Sequence, residues 1–271
     1  MVSQYYGYTS QLMNKEILLQ GILFDSKSSF MQGPAEAPPI IRDQLHSGAS
    51  NYYSELGKEI TTAVYEDLGD FKITDFNQIE AITLENLKKG KRLFTLGGDH
   101  SISYPVLKAF SKKIPEFQIL HIDAHSDLYD NYEGDPFSHA CPFARIMDSK
   151  LTAHLTQIGI RTLNPHQKAQ AAKYNVTIQE MKDFDPSKLH LKDMPVYISL
   201  DMDAFDPGFA PGVSHHEPGG LSPRQVIDLF HTIKNPVIGA DIVEYNPKRD
   251  LNGITAVLAA KMLKEIMALM F

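Results

Sequence analysis

The feature of this sequence that most constrains its fold is the alternation of short apolar runs with stretches of helical spacing. The runs, rich in Val, Ile and Leu, read EILLQGILF, RLFTLGG, FQILHIDA, LTQIGIR, PVYISLD and PVIGADI. Such runs are typical of strands that are buried on both faces of a parallel sheet. The intervening stretches YYSELGKEITTAVYEDL, FNQIEAITLENLKKGKR, SPRQVIDLFHTIK and ITAVLAAKMLKEIMALM predict helices. The sequence therefore predicts a three-layer α/β/α fold with a mainly parallel sheet.

The chain shows no sign of a division into domains. Its 271 residues contain no Pro-, Gly- or Ser-rich linker and no block of like charges. With 43% hydrophobic and 22% charged residues, the chain can bury a large core. Single α/β sheets of this size are common. We therefore expect one domain that spans residues 1–271.

The net charge and the cysteine content indicate which classes of binding partner and which cellular compartment to expect. A net charge of −7 disfavours nucleic acid and anionic membranes, which select basic surfaces, and suits a small cationic substrate. No uninterrupted apolar run has the length of a membrane span. The single cysteine, Cys141, excludes an internal disulfide, and the first residues lack the pattern of a secretory signal. We therefore expect a cytoplasmic protein with no membrane partner.

Three of the apolar runs end directly in turns that carry aspartates and histidines. These residues are Asp99, His100, Asp123, His125, Asp127, Asp201 and Asp203. An aspartate after a strand is often only a helix cap, and a lone histidine is often a core residue. However, the carboxyl ends of parallel strands meet at one rim, where four carboxylates would repel each other unless cations lay among them. The pattern therefore predicts a metal site.

The spacing and the residue types indicate which metals would bind. Residues i, i+2 and i+4 of DAHSD can point to one side of an extended segment, and DMD has the same two-residue spacing. Mixed imidazole and carboxylate ligands are too rich in oxygen for a structural zinc site and suit a pair of Mn²⁺ ions, with Ni²⁺, Co²⁺ and Zn²⁺ as alternatives. Two such ions at about 3.5–4 Å would activate a water molecule between them.

The motifs GGDHS, DAHSDLYD and SLDMDAFDP resemble the three signatures of the ureohydrolase family, which includes arginases, agmatinases, guanidinobutyrases and formimidoylglutamases. Further similar segments are QGPAEAPPIIR, SHACPF, QIGIR, PGVSHHEPGGLSPRQ and GADIVEYNP. The resemblance covers most of the chain, from about residue 20 to about residue 270. It implies an arginase-like fold and a hydrolase that releases urea from a guanidino substrate.

The resemblance also assigns roles to individual residues. It places His100, Asp123, Asp127 and Asp201 around one metal ion, and Asp123, His125, Asp201 and Asp203 around the other. It further implies that Asp127 accepts a proton from the attacking water and passes it towards the leaving amine. His139 would exchange protons with bulk water, and Glu244 would pair with the substrate guanidinium. Gly97 and Gly98 would let the backbone turn tightly beneath the metals.

The sequence does not assign a single role to the aromatic residues near these motifs or to the cysteine. Tyr129, Tyr132 and Phe137 either line the substrate channel or pack the loop after DAHSD. Cys141, two residues after His139, could form a Cys/His nucleophile, but an activated water removes the need for one.

The substrate is predicted from the loops around the motifs. Animal-type arginases carry two acidic residues after GLR, where this chain has Asn164 and Gln167. The loop after DAHSD contains Asp130, Glu133 and Asp135, which would favour the distal amine of agmatine. The loop and the C-terminal third look more like agmatinases and plant-type arginases. We therefore expect agmatine as the substrate, followed by arginine, guanidinobutyrate and formimidoylglutamate.

Two alternatives from other classes and one expectation about assembly remain. A deacetylase of arginase-like fold would use one zinc ion and would lack the paired DAHSD and DMD ligands. An inactive homologue kept as a binding subunit would have lost ligands, whereas this chain has them all. Ureohydrolases are commonly trimers or hexamers, so the resemblance implies a homo-oligomer.

Overall fold

The computed structural model describes residues 15–271 and contains one eight-stranded sheet, in which all paired strands run parallel. Its strands are β1 (Ile17–Leu23), β2 (Tyr65–Lys72), β3 (Arg92–Leu96), β4 (Gln118–Ile122), β5 (His154–Ile160), β6 (Thr177–Glu180), β7 (Val196–Asp201) and β8 (Val237–Val243). Their order across the sheet is β2-β1-β3-β8-β7-β4-β5-β6. The predicted mainly parallel sheet is confirmed.

Helices cover both faces of the sheet. They are α1 (Ala37–His46), α2 (Asn77–Leu87), α3 (Ser103–Ser111), α4 (Pro142–Asp148), α5 (Pro165–Tyr174), α6 (Pro223–Thr232) and α7 (Ile254–Leu269). Apolar residues of α1, α6 and α7 pack into a core on one face, and those of α2, α3, α4 and α5 pack into a second core on the other. The three-layer prediction is therefore also confirmed. None of the helices in residues 15–271 is both long and apolar enough to cross a membrane.

Local sequence explains where two of the helices begin. Asn164 and Ser222 lie directly before α5 and α6, and each accepts a hydrogen bond from the backbone N–H of the glutamine three residues later. The side chains of Gln167 and Gln225 accept the backbone N–H of the capping residue in return. These reciprocal bonds satisfy N–H groups that a helix start leaves free.

The helix predicted for residues 52–68 is wrong. This segment forms turns, and its last residues begin β2, where Tyr65 lies opposite Ile17 of β1. Gly57 has a φ of 73°, which interrupts a helix. Buried charged groups of α7 then bind the preceding turns, because Lys264 donates to the Asn51 carbonyl at 2.8 Å. Tertiary contacts therefore override the apolar spacing. The edge strand β6 was not predicted either, because its residues are only partly buried.

The four central strands reach the same level of the sheet. Leu96 of β3 pairs with Ile242 of β8, Ile242 pairs with Leu200 of β7, and Leu200 pairs with Ile122 of β4. The residues that follow this row therefore emerge side by side at the carboxyl edge of the sheet, where ligands of open α/β folds bind.

Close packing rather than an unusual backbone angle explains the glycines after β3. A Cβ on Gly98 would lie 1.6 Å from the carbonyl oxygen of Phe24, whereas neither Gly97 nor Gly98 has a positive φ. The predicted tight turn is thus a close approach between two backbone segments. Asp99 strengthens this approach because its backbone N–H donates to the Phe24 carbonyl at 3.0 Å.

Candidate metal centre and active-site pocket

A histidine ring lies among three carboxylates at the carboxyl edge of the sheet. The Nδ1 atom of His100 is 3.1 Å from Oδ2 of each of Asp123, Asp127 and Asp201. His100, Asp123 and Asp201 follow or end strands β3, β4 and β7, so the convergence predicted from the three motifs is observed. Each of these side chains is almost completely buried.

Hydrogen bonds behind His100 decide which of its nitrogens carries a proton. Ser199 Oγ donates to Asp241 Oδ1 at 2.6 Å, so it accepts from His100 Nε2, 3.0 Å away. Asp241 also accepts from Ser103 Oγ and Tyr197 Oη. Nδ1 of His100 is then left as a lone pair that is buried, has no hydrogen-bond partner and faces three carboxylates. A cation bound among these atoms would satisfy the lone pair and the carboxylates together; without one, the ring itself has to carry the positive charge.

A second group of ligand atoms shares Asp123 with the first. Nδ1 of His125 lies 3.0 Å from Asp203 Oδ2 and 3.5 Å from Asp123 Oδ1. Backbone N–H groups orient the carboxylates, because His125 donates to Asp123 Oδ1 at 2.7 Å and Asp203 donates to Asp201 Oδ1 at 2.7 Å. The two groups therefore adjoin through a shared carboxylate, which is the arrangement that a pair of metal ions needs.

The pKa values of the cluster show the cost of crowding these charges. Burial, together with the charges of Asp203 and Asp123, raises the pKa of Asp201 well above its ordinary value. Burial also raises the pKa of Asp203 to about 6, although the His125 charge opposes it. Burial lowers the pKa of His100, but the three carboxylates outweigh it and raise the pKa well above its ordinary value. Divalent ions at these positions would relieve the repulsion, and the residues fit them.

His121 supports the cluster and was not predicted. Its Nδ1 accepts from the Gln157 side-chain amide at 2.9 Å, so its Nε2 donates to Asp123 Oδ2 at 2.7 Å. Burial lowers the pKa of this histidine, which favours the neutral ring. Its ring stacks on Phe143 with centroids 3.8 Å apart. We therefore regard His121 as a residue that orients a ligand. The signal was a polar residue in an apolar strand, two positions before Asp123.

Glu244 and His139 form a buried pair beside the cluster. Glu244 follows β8 and accepts from His139 Nδ1 at 2.8 Å and from the His100 backbone N–H at 2.9 Å, both through Oε1. Its Oε2 is buried and has no hydrogen-bond partner. Burial raises the pKa of Glu244, but His139 and the His100 N–H lower it more. Burial lowers the pKa of His139, but Glu244 outweighs it and raises the pKa to about 9.

The opposite side of the His139 ring is held by a loop that the motifs did not indicate. Nε2 of His139 lies 2.9 Å from Ser29 Oγ, to which the protonated ring donates, and 3.2 Å from the Ser29 backbone N–H, which donates to the neutral ring. Asp99 anchors this loop by accepting from the Lys27 backbone N–H at 2.9 Å. Asp99 therefore does not join the metal cluster, although it follows the same strand as His100.

Two proposed functional residues have left-handed backbone conformations. Asp127 has a φ of 49° and Glu244 a φ of 61°. Non-glycine residues rarely adopt this region, which costs on the order of 1–3 kcal/mol each and is commonly found at functional sites.

A pocket opens above the cluster and brings the predicted residues together. Its lining residues include His125, Asp127, Asp201, Asp203, His139 and Glu244, together with Ser29, Tyr129, Tyr132, Thr162, Gln167 and His215. Phe137 is not among them, because it packs against Phe76 and Tyr104. Cys141 is also outside the lining, and burial raises the pKa of its thiol to about 12. A cysteine nucleophile therefore has no support.

Comparison with known proteins identifies the family. A family model described as the arginase family matches residues 15–269, almost the entire described chain. The chain belongs to the arginase family. Members of this family hydrolyse guanidino carbon–nitrogen bonds, and the predicted enzyme class and arginase-like fold are thereby confirmed.

The relatives of this chain include both arginases and agmatinases. Arginase 1, mitochondrial, from Arabidopsis thaliana is 42% identical over 272 residues, covering 92% of this chain and 80% of the relative. Agmatinase from Bacillus anthracis is 31% identical over 264 residues, which cover 93% of this chain and 91% of the relative. The solved arginase from Medicago truncatula superposes with a TM-score of 0.88 at 39% identity, covering 94% of this chain and 87% of that one.

Proposed function

We propose that this protein is an arginase, which hydrolyses L-arginine to L-ornithine and urea. The observation that carries the proposal is the difference in similarity, 42% identity to a plant arginase against 31% to a bacterial agmatinase. It favours the second of the expected substrates over agmatine, which the sequence motifs placed first.

The loop after Asp127 also gives agmatine less support than its acidic residues suggested. Asp130 lies 3.1 Å from His166 Nε2, and Asp135 forms an ion pair with Lys27 at 2.6 Å. Two of the three carboxylates thus have partners within the protein. Only Glu133 remains to attract the distal amine of agmatine, so the electrostatic preference for this substrate is weak.

The proposed reaction uses two divalent metal ions, with Mn²⁺ as the first candidate. Their ligands would be His100, Asp123, His125, Asp127, Asp201 and Asp203. When bound, the ions activate a water molecule for attack on the guanidino carbon. A single-zinc deacetylase is disfavoured because both groups of ligands are present and share Asp123.

Residues around the metal centre would orient the substrate and move protons. The free Oε2 atom of Glu244 is available to accept N–H groups of the guanidinium, while its Oε1 remains bound to His139. Asp127, at the edge of the cluster and the pocket, would take the proton from the water and pass it to the leaving amine. His139 would exchange this proton with solvent through Nε2.

The test is urea release from L-arginine and from agmatine by the purified protein, reloaded with Mn²⁺, Co²⁺, Ni²⁺ or Zn²⁺ in parallel. We expect a higher kcat/KM for L-arginine. A preference for agmatine would replace this proposal with an agmatinase. Urea release from neither substrate, with two metal ions bound, would direct the search to guanidinobutyrate and formimidoylglutamate. The trimeric or hexameric state and the cytoplasmic location stay predictions, and sedimentation of the intact protein tests the first.

A further inference from the structure

A second cavity adjoins the active-site pocket. The two share Ser29, Tyr132 and His215, so a ligand can extend from one into the other. The walls of the second cavity, which we call the outer cavity, also carry charges of both signs, namely Arg249, Glu133 and Glu217. Glu217 lies 3.7 Å from Nε2 of the predicted metal ligand His125, whereas Arg249 and Glu133 have no role in the metal centre.

The guanidinium of Arg249 has only neutral partners. Its Nη1 donates to the Ser214 carbonyl at 3.3 Å and its Nη2 to His216 Nδ1 at 3.1 Å. Within residues 15–271 no carboxylate lies at ion-pair distance from it, whereas the neighbouring Lys248 pairs with Glu36 at 2.9 Å. A half-buried guanidinium without a carboxylate is a suitable partner for an anionic group of a ligand.

His215 connects the outer cavity to the reaction centre. Its ring centroid lies 5.4 Å from that of His139 and 5.8 Å from that of His125, and it follows Ser214, to which Arg249 is bound. Its Nε2 is buried without a hydrogen-bond partner. The route from Glu244 to Arg249 thus passes along residues that already face the pocket.

The part of the active-site pocket that Tyr129, Thr162 and Gln167 line has no charged side chain. Asn164 donates through its side-chain amide to Tyr129 Oη at 2.5 Å, and its Oδ1 accepts from the Gln167 backbone N–H at 2.9 Å. The ring of His166 stacks on Tyr129 with centroids 5.5 Å apart. These contacts occupy the polar groups of Asn164, which lies behind Tyr129 and Gln167.

We infer that the outer cavity binds the α-amino acid head group of the substrate. Arg249 pairs with the α-carboxylate, and Glu133, which has no partner of its own among the described residues, pairs with the α-ammonium. Six bonds separate the guanidino carbon of arginine from its carboxylate carbon, a span of about 7 Å, so the head group lies away from Glu244 when the guanidinium pairs with it. This inference rests on the proposed arginase function and names the residue that distinguishes arginine from agmatine.

The experiment compares the Mn²⁺-loaded wild type with Arg249→Met and with the control Lys248→Met, which removes the same charge one position earlier. For Arg249→Met we expect kcat/KM for L-arginine to fall by about ten- to a hundredfold, mostly through KM, and kcat/KM for agmatine to stay within about twofold. Lys248→Met should change neither. Equal losses for both substrates in Arg249→Met would assign Arg249 a structural role and overturn the inference.

Binding of the products separates this inference from the proposed function. Calorimetry with L-ornithine and with putrescine requires no turnover, and only ornithine carries the carboxylate. We expect Arg249→Met to weaken ornithine binding about tenfold or more and to leave putrescine binding unchanged. If the wild type binds ornithine no more tightly than putrescine, the inference is overturned. If ornithine binding depends on Arg249 but arginine yields no urea, the proposed function fails and the head-group site stands.

Discussion

The metal centre and the outer cavity lie side by side but are built in different ways. The metal ligands follow three strands, β3, β4 and β7, and all of them except His125 are buried. The outer cavity is lined by loop residues, among them Phe30 with 65% exposure, and its charged groups have few internal partners. The rigid part therefore suits the reaction that the family shares, and the loops suit the choice of substrate.

The largest effect is expected when the carboxylate that both ligand groups share is removed. Asp123→Asn should lower kcat more than about a hundredfold. Even the mutation of a residue that only hydrogen-bonds a metal ligand commonly lowers metal affinity or activity about 10- to 100-fold. Metal analysis of the purified variant should find fewer bound ions per chain than in the wild type. A variant that keeps both ions and full activity would contradict the assignment of the centre. Adding Mn²⁺ to chelator-treated wild type should restore activity and raise Tm.

Replacement of His121 tests whether a residue that hydrogen-bonds a metal ligand contributes to metal affinity as the ligands themselves do. His121→Phe keeps an aromatic ring against Phe143 but removes the hydrogen bond to Asp123. We expect Mn²⁺ affinity, measured by titrating activity and by calorimetry, to fall by about 10- to 100-fold. The matched control is His154→Phe at the start of β5, where the only side-chain hydrogen bond of the histidine among the described residues joins it to Thr177. Equal effects of the two substitutions would refute the role of His121.

Ser29 lies at the boundary between the two regions, so its replacement should have an intermediate effect. Ser29→Ala removes the hydroxyl from His139 Nε2 and keeps the backbone N–H bond. We expect kcat to fall by about two- to tenfold, since one hydrogen bond contributes about 0.5–1.5 kcal/mol. Metal content should not change. A loss of metal in this variant would show that the loop supports the centre instead of His139.

The smallest effect is expected from the paired acids of the substrate loop. Asp130→Asn and Asp135→Asn should each change kcat/KM for agmatine by less than about twofold, because exposed ion pairs contribute only about 0–1 kcal/mol. Glu133→Gln is the informative comparison, as it removes the one loop carboxylate without a partner. If Asp130→Asn or Asp135→Asn reduces agmatine turnover more than Glu133→Gln does, the loop recognises amines in the way that the sequence suggested.

The sequence predicts the positions of functional side chains best where these side chains follow a buried strand. The motifs placed all six predicted metal ligands at one rim because the carboxyl ends of parallel strands must meet there. The roles of His121, Ser199 and Asp241 do not follow from the sequence alone: polar residues inside apolar runs are visible there, but their partners are known only once the neighbouring strand is known. Nor does the sequence show that Asp99, next to His100, serves the loop of residues 27–29.

The errors have a common physical origin in contacts between distant segments. Residues 52–68 have helical spacing, yet buried charges of α7 and pairing with β1 determine their conformation. The acidic loop looked like an amine-binding surface because its partners, Lys27 and His166, lie far away in the chain. The sequence gives no indication of a role for Arg249, because the lack of a carboxylate partner is known only once its neighbours in the fold are known.

The order of strands in the sheet also determines when a nascent chain can hold metal. β3 and β4 are consecutive in the chain, but β8 and β7 lie between them in the sheet. During synthesis, His100 and Asp123 therefore emerge long before the strands that bring them together. Until β7 and β8 insert, Asp201 is absent from the cluster and Glu244 cannot hold the His100 backbone. A complete set of ligands is accordingly formed only after β7 and β8 have joined the sheet, so metal binding depends on pairings between segments that are distant in the chain.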